Sequence, residues 1–392
     1  MNDLTFTQIS TILNSIVSQA TGQTTITPTD TSSFVAVAQT GLKVGYDNLM
    51  NAVSQVLAKT IFSIRPYKAK FSELEMTNFQ FGNAVRKLQV ADNTFVDDDR
   101  LPLADGQTVD MYKVRKPIVI QTNFYGQSAY EDYWTTFRDQ LDVAFSSPDE
   151  FSRFISMYVQ NNADRRAQAR ENLSRSTVAN LIGGTISASS ADSSRIVHLI
   201  AEYNAITGLS LTKTNYQSPE YYTDFIRWVY ARVMSISDLM TERSELFHST
   251  IDGKHLMRHT PKNMQKMYIL SPIKHDIQAR VLSQTFNKNE LNGLDGELVN
   301  YWQSIEEGKR DAINITPSIM NSDGSVSKGE AISESGIFGI IFDKEAAGVN
   351  HFNEWAAVTP FNARGGYYNT FFHATDRYFN DFTENSVVLK LD

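Results

Sequence analysis

The segment from Ser147 to Gly183 constrains this chain more than any other. Ser147-Pro148-Asp149-Glu150 is a helix start on three counts: Ser as N-cap, Pro at the first helical position, and Glu placed to close a capping box. No breaker follows until Gly183-Gly184, so one helix is predicted from about 148 to 182, roughly 50 Å at 1.5 Å per residue. Its first half carries Phe151, Phe154, Ile155, Tyr158 and Val159 on one face. Its middle carries Asp164, Arg165, Arg166, Arg170, Glu171 and Arg175, and apolar residues return at Leu173, Val178, Leu181 and Ile182. A helix apolar at both ends and charged between them serves two packing sites, as a spine does.

The rest of the chain must supply those sites. Leu4, Ile9, Ile12, Leu13, Ile16 and Val17 recur at helical spacing, with Gly22 where a C′ residue belongs. Residues 19–33 are rich in Thr, Ser and Gly and offer little to bury, so the first 40 residues read as an arm serving assembly more than the subunit's own fold. A second helix after Gly45 carries Leu49, Met50, Val53, Val56, Leu57 and Ile61, ending near Arg65-Pro66. Two strand-like runs, Ala84 to Val90 and Val109 to Thr122, flank a loop holding Asp97-Asp98-Asp99-Arg100 and Asp105-Gly106. A hairpin this polar needs support from its own chain or a neighbour.

Ser218-Pro219-Glu220 repeats the helix-start device ahead of Tyr222, Phe225, Ile226, Val229, Tyr230, Val233 and Met234. Met267 to Leu270 reads as a short strand, and Ser271-Pro272 opens a helix with Ile273, Ile277, Val281 and Leu282. Gly336 to Phe342 is a buried strand, far short of the roughly 20 residues a membrane helix needs. Ten of the 44 aromatic residues fall between His351 and Phe382, a density that predicts a terminal sheet packed on the spine, with a turn at Gly365-Gly366 using positive φ at one or both. No internal repeat is visible.

Chemistry is sparse. The chain has 392 residues and no cysteine, which removes disulfides, thiolate metal sites and thiol nucleophiles. The net charge of −8 argues against a general nucleic-acid binder. His255 and His259 are four apart, but no Glu follows the first, and Lys254 and Arg258 would repel a dication, so a basic loop is favoured over a metal site. Asp97-Asp98-Asp99 lacks the spaced oxygen ligands of a calcium loop and reads as a charged tip seeking cations on another surface. Arg165, Arg166, Arg170 and Arg175 are candidate interior or nucleic-acid-facing cations, with Asp164 and Glu171 as rival partners at helical spacing. No phosphate-binding loop, dinucleotide fingerprint or nucleophile elbow occurs, so no catalytic residue, metal ligand or cofactor is assigned. The amino terminus lacks the basic and apolar regions of a signal peptide.

The order of elements, with Leu4-Thr5-Phe6 before a helix, Phe124-Tyr125-Gly126-Gln127 before an acidic aromatic segment and the spine, Phe342-Asp343-Lys344, and Asn362-Ala363-Arg364-Gly365-Gly366-Tyr367-Tyr368, resembles the major capsid proteins of tailed phages. The fold implied is the α+β Hong Kong 97 type, nearest the small podophage group typified by phi-29. The resemblance implies an N-terminal arm (1–45), the start of a peripheral domain (46–79), an extended E-loop (80–125) and the spine part of the peripheral domain (126–183). An axial domain (184–335) and a terminal peripheral sheet (336–392) complete it. It also implies hexamers and pentamers of the chain itself, scaffolding and portal partners, enclosure of double-stranded DNA without sequence-specific binding, no membrane partner, and a place in the virion after assembly in the host cytoplasm. Two other readings stand beside it: an encapsulin-type nanocompartment shell, and a soluble metalloenzyme using His255 and His259.

Overall fold

Local capping explains where the helices begin. The Thr5 hydroxyl accepts from the Gln8 amide, the Asp30 carboxylate accepts from the Ser33 amide at 2.7 Å, and Ser147 Oγ accepts from the Glu150 amide at 3.3 Å. The computed structural model describes residues 5–24, 27–59, 71, 74–76, 85–93, 95–189, 194–280 and 297–392. In chain order the elements are α1 (Phe6–Thr21), α2 (Thr31–Lys43), α3 (Tyr46–Lys59), β1 (Val85–Val90), β2 (Val119–Phe124), β3 (Gln127–Phe137), α4 (Arg138–Ala144) and α5 (Pro148–Ala188). They continue with β4 (Ile196–His198), α6 (Leu199–Thr207), α7 (Tyr222–Leu239), β5 (Gln265–Leu270), α8 (Ser271–Arg280), β6 (Glu297–Val299) and β7 (Ile313–Ile315). The last are β8 (Ser318–Met320), β9 (Val326–Lys328), β10 (Ile332–Glu334), β11 (Ile337–Asp343), β12 (Ala347–Val358), β13 (Tyr367–Asn380) and β14 (Ser386–Lys390). No described helix is long and apolar enough to cross a membrane. The expected positions Ile61, Arg65, Pro66, Ala84, Val281 and Leu282 lie outside the described residues, as do the side chains of Leu57, Tyr158, Val159 and Ile273.

Contacts divide the chain into two units: Met1–Ala69, Gln127–Asn172 and Asn350–Arg377 in the first, Lys70–Gly126, Leu173–Val349 and Tyr378–Asp392 in the second. The contacts differ from the expected organisation at three places. Among the described residues of the first 45, α1 and α2 are packed within the first unit. The stripe Leu13, Ile16, Val17 on α1 closes against Phe34 and Ala38 of α2 and Leu49, Met50 and Val53 of α3, and Phe151 and Ile155 of α5 join the same core. The sequence reading missed α2 because its Thr and Ser content masks three buried positions, Phe34, Ala38 and Gly41, each about one helical turn from the next.

The second correction concerns Gly183-Gly184, which do not stop α5. A Cβ on Gly184 would lie 2.4 Å from the Phe382 ring and 2.5 Å from the Ser318 carbonyl oxygen, so glycine here is set by close packing. An interior helical glycine costs about 1 kcal/mol relative to alanine, and this approach offsets it.

The third is the terminal sheet. Residues 336–392 contribute to two sheets. In the second unit β11 lies between β14 and β5 in a five-stranded sheet of order β4-β14-β11-β5-β6. Every residue of β11 is buried, which a strand covered on both faces requires. Beneath it lie Phe225, Ile226, Val229 and Val233 of α7, and Val178, Leu181 and Ile182 of α5 pack with Tyr268, Phe342 and Trp302. In the first unit β12, β13 and β3 form a three-stranded sheet, with Tyr367 opposite Phe137 and Arg377 opposite Gln127. Alternate burial along β13 puts Tyr368, Phe372 and Ala374 inward and leaves Tyr367, Phe371 and His373 half exposed. Helix α7 begins at Tyr222, one turn later than the Ser218-Pro219-Glu220 device, because residues 218–221 form a turn closed by the Tyr221 amide on the Ser218 carbonyl.

Candidate functional site

Hairpin β1–β2 is where the charged tip belongs, and the second unit fixes its root. Val85 pairs with Phe124 and Val90 with Val119, and the Ala91 amide extends the ladder to the Ile118 carbonyl. Lys87 Nζ reaches Glu384 at 2.5 Å, Asp381 at 2.9 Å and Glu345 at 3.3 Å. Burial disfavours its ammonium, yet Asp381 and Glu384 outweigh that penalty and hold the Lys87 pKa above the ordinary lysine value. Burial raises the Glu384 carboxyl despite Lys87 and Arg258 beside it. Arg258 donates to the Thr383 carbonyl at 3.0 Å and to the Gln89 side chain, which in turn donates to Thr383 Oγ1. Asp92 closes the root: its amide donates to the His255 carbonyl, and its carboxylate accepts from the Met257 amide at 2.8 Å and pairs with Arg243. Ala91, Ile120, Ile251 and Leu256 make a small apolar cluster there. The support that the hairpin needs therefore comes from its own chain.

Beyond Ile118 and Asp92 the support ends. Residues 109–118 were expected as strand, but among the described residues the ladder starts at Val119, with the Ala91 amide on the Ile118 carbonyl as its last bond. The loop exposes its apolar side chains: Phe95 is 104% exposed, Leu101 87%, Met111 81%, Tyr112 80% and Val114 79%. Asp98 takes Arg100 as its partner through two Nε contacts of 3.0 Å, and this hydrogen bonding holds the Asp98 carboxyl below the usual range and the Arg100 guanidinium above it. Asp97 and Asp99 are exposed and make no ion pair among the described residues. The sequence reading saw the charges of this tip and missed its apolar content, which has neither a period of 2 nor of 3.6.

The other candidates sit elsewhere. Arg165 contacts Asp132 at 3.2 Å, Arg170 pairs with Glu354, and Arg166 lies 4.6 Å over the Phe372 ring and 3.9 Å from Glu354. Arg175 is buried, stacked on Tyr301 at 3.9 Å and Phe71 at 5.0 Å, and donates to the Tyr301 carbonyl. These arginines hold α5 to its own surroundings; Arg165 alone among them keeps a mostly exposed side chain. His255 and His259 stand on non-helical backbone, so their spacing does not bring them to one helix face, and His255 contacts Glu245. Among the described residues no group of three or more candidate ligands could hold a metal ion. Gly366 has φ 67° and closes the turn through its amide on the Asn362 carbonyl, whereas Gly365 has no positive φ and a Cβ there would meet the Tyr367 ring at 2.2 Å.

A long helix that runs through both units, an anchored hairpin with an exposed tip and a five-stranded sheet with helices are consistent with a fold of the Hong Kong 97 type, and solved structures share it. The capsid of Staphylococcus phage Andhra has a similar fold, with a TM-score of 0.56, 10% identity, and coverage of 85% of this chain and 87% of that one. So does a chain from the structure of the head fiber and inner core protein gp22 of native bacteriophage P68, at 0.55 and 11% identity, with the same coverage of 85% and 87%. No curated protein sequence matches the chain.

The chain belongs to the family of Phi29-like phage major capsid proteins, which it matches over residues 13–390. It is a major capsid protein, structural rather than catalytic, and its place is the virion shell. Neither the nanocompartment reading nor the metalloenzyme reading finds support.

Proposed function

We propose that residues 80–125 are the E-loop of this shell subunit and that its tip, residues 91–118, makes its contacts on neighbouring copies within hexamers and pentamers. The observation that carries this is the contrast along one hairpin: a root tied by Lys87, Gln89 and Asp92, and a tip holding Phe95, Leu101, Met111, Tyr112 and Val114 in solvent. Large apolar side chains left this exposed on one loop mark an interaction site. The lobe around β11 and α7 is assigned to the capsomer centres and the three-stranded sheet lobe to their periphery, on the resemblance. In this reading the shell encloses double-stranded DNA without reading its sequence, in keeping with the net charge of −8. Assembly in the host cytoplasm with scaffolding and portal proteins belongs to the same proposal.

The test is to replace Phe95, Leu101, Met111 and Tyr112 with Ser and follow both folding and assembly. The subunit's unfolding is expected to stay within about 0.5 kcal/mol of the parent, since exposed positions contribute little, while electron microscopy shows loss of closed shells. Shells formed at parental yield would remove the loop from the subunit contacts.

A further inference from the structure

Residues 247–249 run alongside residues 382–386 in the second unit: the Ser249 amide donates to the Phe382 carbonyl and the Ser386 amide to the Phe247 carbonyl, both at 2.8 Å. Between these two bonds sits His248, which is 4% exposed. Its Nδ1 lies 3.3 Å from Asn385 Oδ1, Asn385 Nδ2 donates to Thr260 Oγ1 at 3.1 Å, and Thr260 Oγ1 donates to Asp343 Oδ2 at 2.8 Å. All four side chains are buried. The carboxylate fixes the direction of this chain. Asp343 only accepts, so the Thr260 hydroxyl gives its one proton there and accepts from the Asn385 amide. Asn385 Oδ1 is left to accept, and His248 carries its proton on Nδ1. Nε2 then holds a lone pair, buried and without a hydrogen bond among the described residues.

A second proton, on Nε2, would make an imidazolium beside two guanidinium groups, those of Arg258 and Arg195. The carboxylates of this region are already taken. Glu384 holds Lys87 at 2.5 Å and Arg258 at 3.4 Å, Asp381 holds Lys87 at 2.9 Å and accepts from the Thr383 amide and hydroxyl, and Asp343 accepts from Thr260. Burial, then Arg258 and Arg195, push the His248 pKa down to about 4, against the pull of Asn385 and of the Leu256 backbone.

The strips that enclose His248 also hold the hairpin root. Asp381, Thr383 and Glu384 meet Lys87 and Gln89 of β1, Arg258 reaches Gln89, and Asp92 is tied to His255 and Met257. We infer that His248 is an acid-sensitive latch beneath the hairpin root: with a neutral ring, residues 244–258 lie closed on residues 381–386, and protonation of the ring opens that contact and frees β1 from Arg258 and from residues 255–257. Opening brings the ring to water, where it takes a proton at the ordinary histidine value of 6.5. The closed form takes one only near 4, so the latch is tight at neutrality, weakens as pH falls below about 6.5 and is lost through about 4. Most of that window lies above the ordinary carboxylate range. Glu384 acts with the opposite sign: burial raises its carboxyl in the closed form, so its contribution grows as pH falls.

Hydrogen exchange of the folded free subunit, read by mass spectrometry and corrected for the intrinsic effect of pH on exchange, tests the latch. The opening constant of peptides holding the Asp92, Ser249 and Ser386 amides is expected to rise about twentyfold from pH 7 to pH 5, for a ring whose pKa is 6.5 when open and about 4 when closed. Peptides of α7 are expected to show no such rise. His248→Asn keeps a donor for Asn385 and has nothing to titrate, so its root peptides are expected to follow those of α7. An equal rise in His248→Asn and in the parent, or no rise in the parent, overturns the inference. A second measurement needs no variant: with isotope-labelled histidine, one of the parent's seven imidazoles is expected to titrate near 4 by NMR. Seven imidazoles all titrating at the ordinary value would overturn the latch even where His248→Asn fails to fold.

Discussion

Residues 5–45 and residues 91–118 have the same surface chemistry in the sequence, long polar stretches with scattered apolar residues, and opposite fates in the fold. In the first, Leu13, Ile16, Val17 and Phe34 are completely buried; in the second, Phe95 and Leu101 stand in water. The difference is spacing. Apolar residues at helical intervals lie on one face and can close on another helix, so α1, α2 and α3 bury one another. Those of the loop have no such period, and nothing among the described residues covers them. A segment can thus be poor in apolar residues and still be core, or rich in them and exposed.

The largest effect is expected from removing residues 1–40. The polar composition by itself predicts that the remaining chain unfolds cooperatively. The buried faces of α3 and α5 predict instead that calorimetry on the truncated subunit shows no cooperative transition for the first unit. Retention of that transition would return the segment to the status of an arm.

Next comes Lys87→Met, which takes from the hairpin root the cation that Asp381 and Glu384 share and leaves Glu384 with Arg258 alone of its two cations. Breaking a buried pair from one side costs about 3–5 kcal/mol, readable by denaturant unfolding. The pH dependence has a definite sign. Glu384 has a raised folded pKa, so its contribution is full below the ordinary glutamate range and lost as pH rises through its folded pKa. Lys87, also raised, contributes below the ordinary lysine value and loses that contribution as pH rises beyond it. The variant should lose the alkaline part of this dependence.

The comparison is sharpest in a matched pair of substitutions. Leu13→Ala should cost about 2–5 kcal/mol, and Leu101→Ala less than about 0.5 kcal/mol, both by chemical denaturation of the free subunit. Equal costs would mean that the loop has cover within its own chain. Gly366→Val should cost about 1–2 kcal/mol for the left-handed backbone, with Gly366→Asn cheaper, measured as a shift in Tm.

The smallest effect on folding is expected from replacing Asp97, Asp98 and Asp99 together with Asn. Exposed ion pairs contribute about 0.2–1 kcal/mol each, so thermal unfolding of the subunit should hardly move. Shell yield should fall or lose its salt sensitivity, because the same increment recurs at every contact and salt screens it. Wild-type assembly at all salt concentrations would make the triplet a solvated loop.

Much of the fold was written locally. Ser147-Pro148 placed the start of α5 within a residue, the stripe from Tyr222 to Val233 marked α7, and the seven residues to Phe342 marked β11, because caps and periodicity act over a few positions. Gly365-Gly366 announced a turn with positive φ, though only the structure shows that Gly366 takes it.

What the sequence alone could not decide are the pairings across distance. Lys87 meets Asp381 and Glu384 nearly 300 positions away, and no local pattern records that approach. Gly184 looks like a stop in the sequence and is a contact with Phe382 in the fold. β11 and β14 are close in sequence to β12 and β13 and yet belong to another sheet, since full burial on both faces draws β11 to a central position between β14 and β5. Periodicity fixes which face of an element is apolar; which surface covers that face, or whether any does, is settled only when the whole chain competes to bury it.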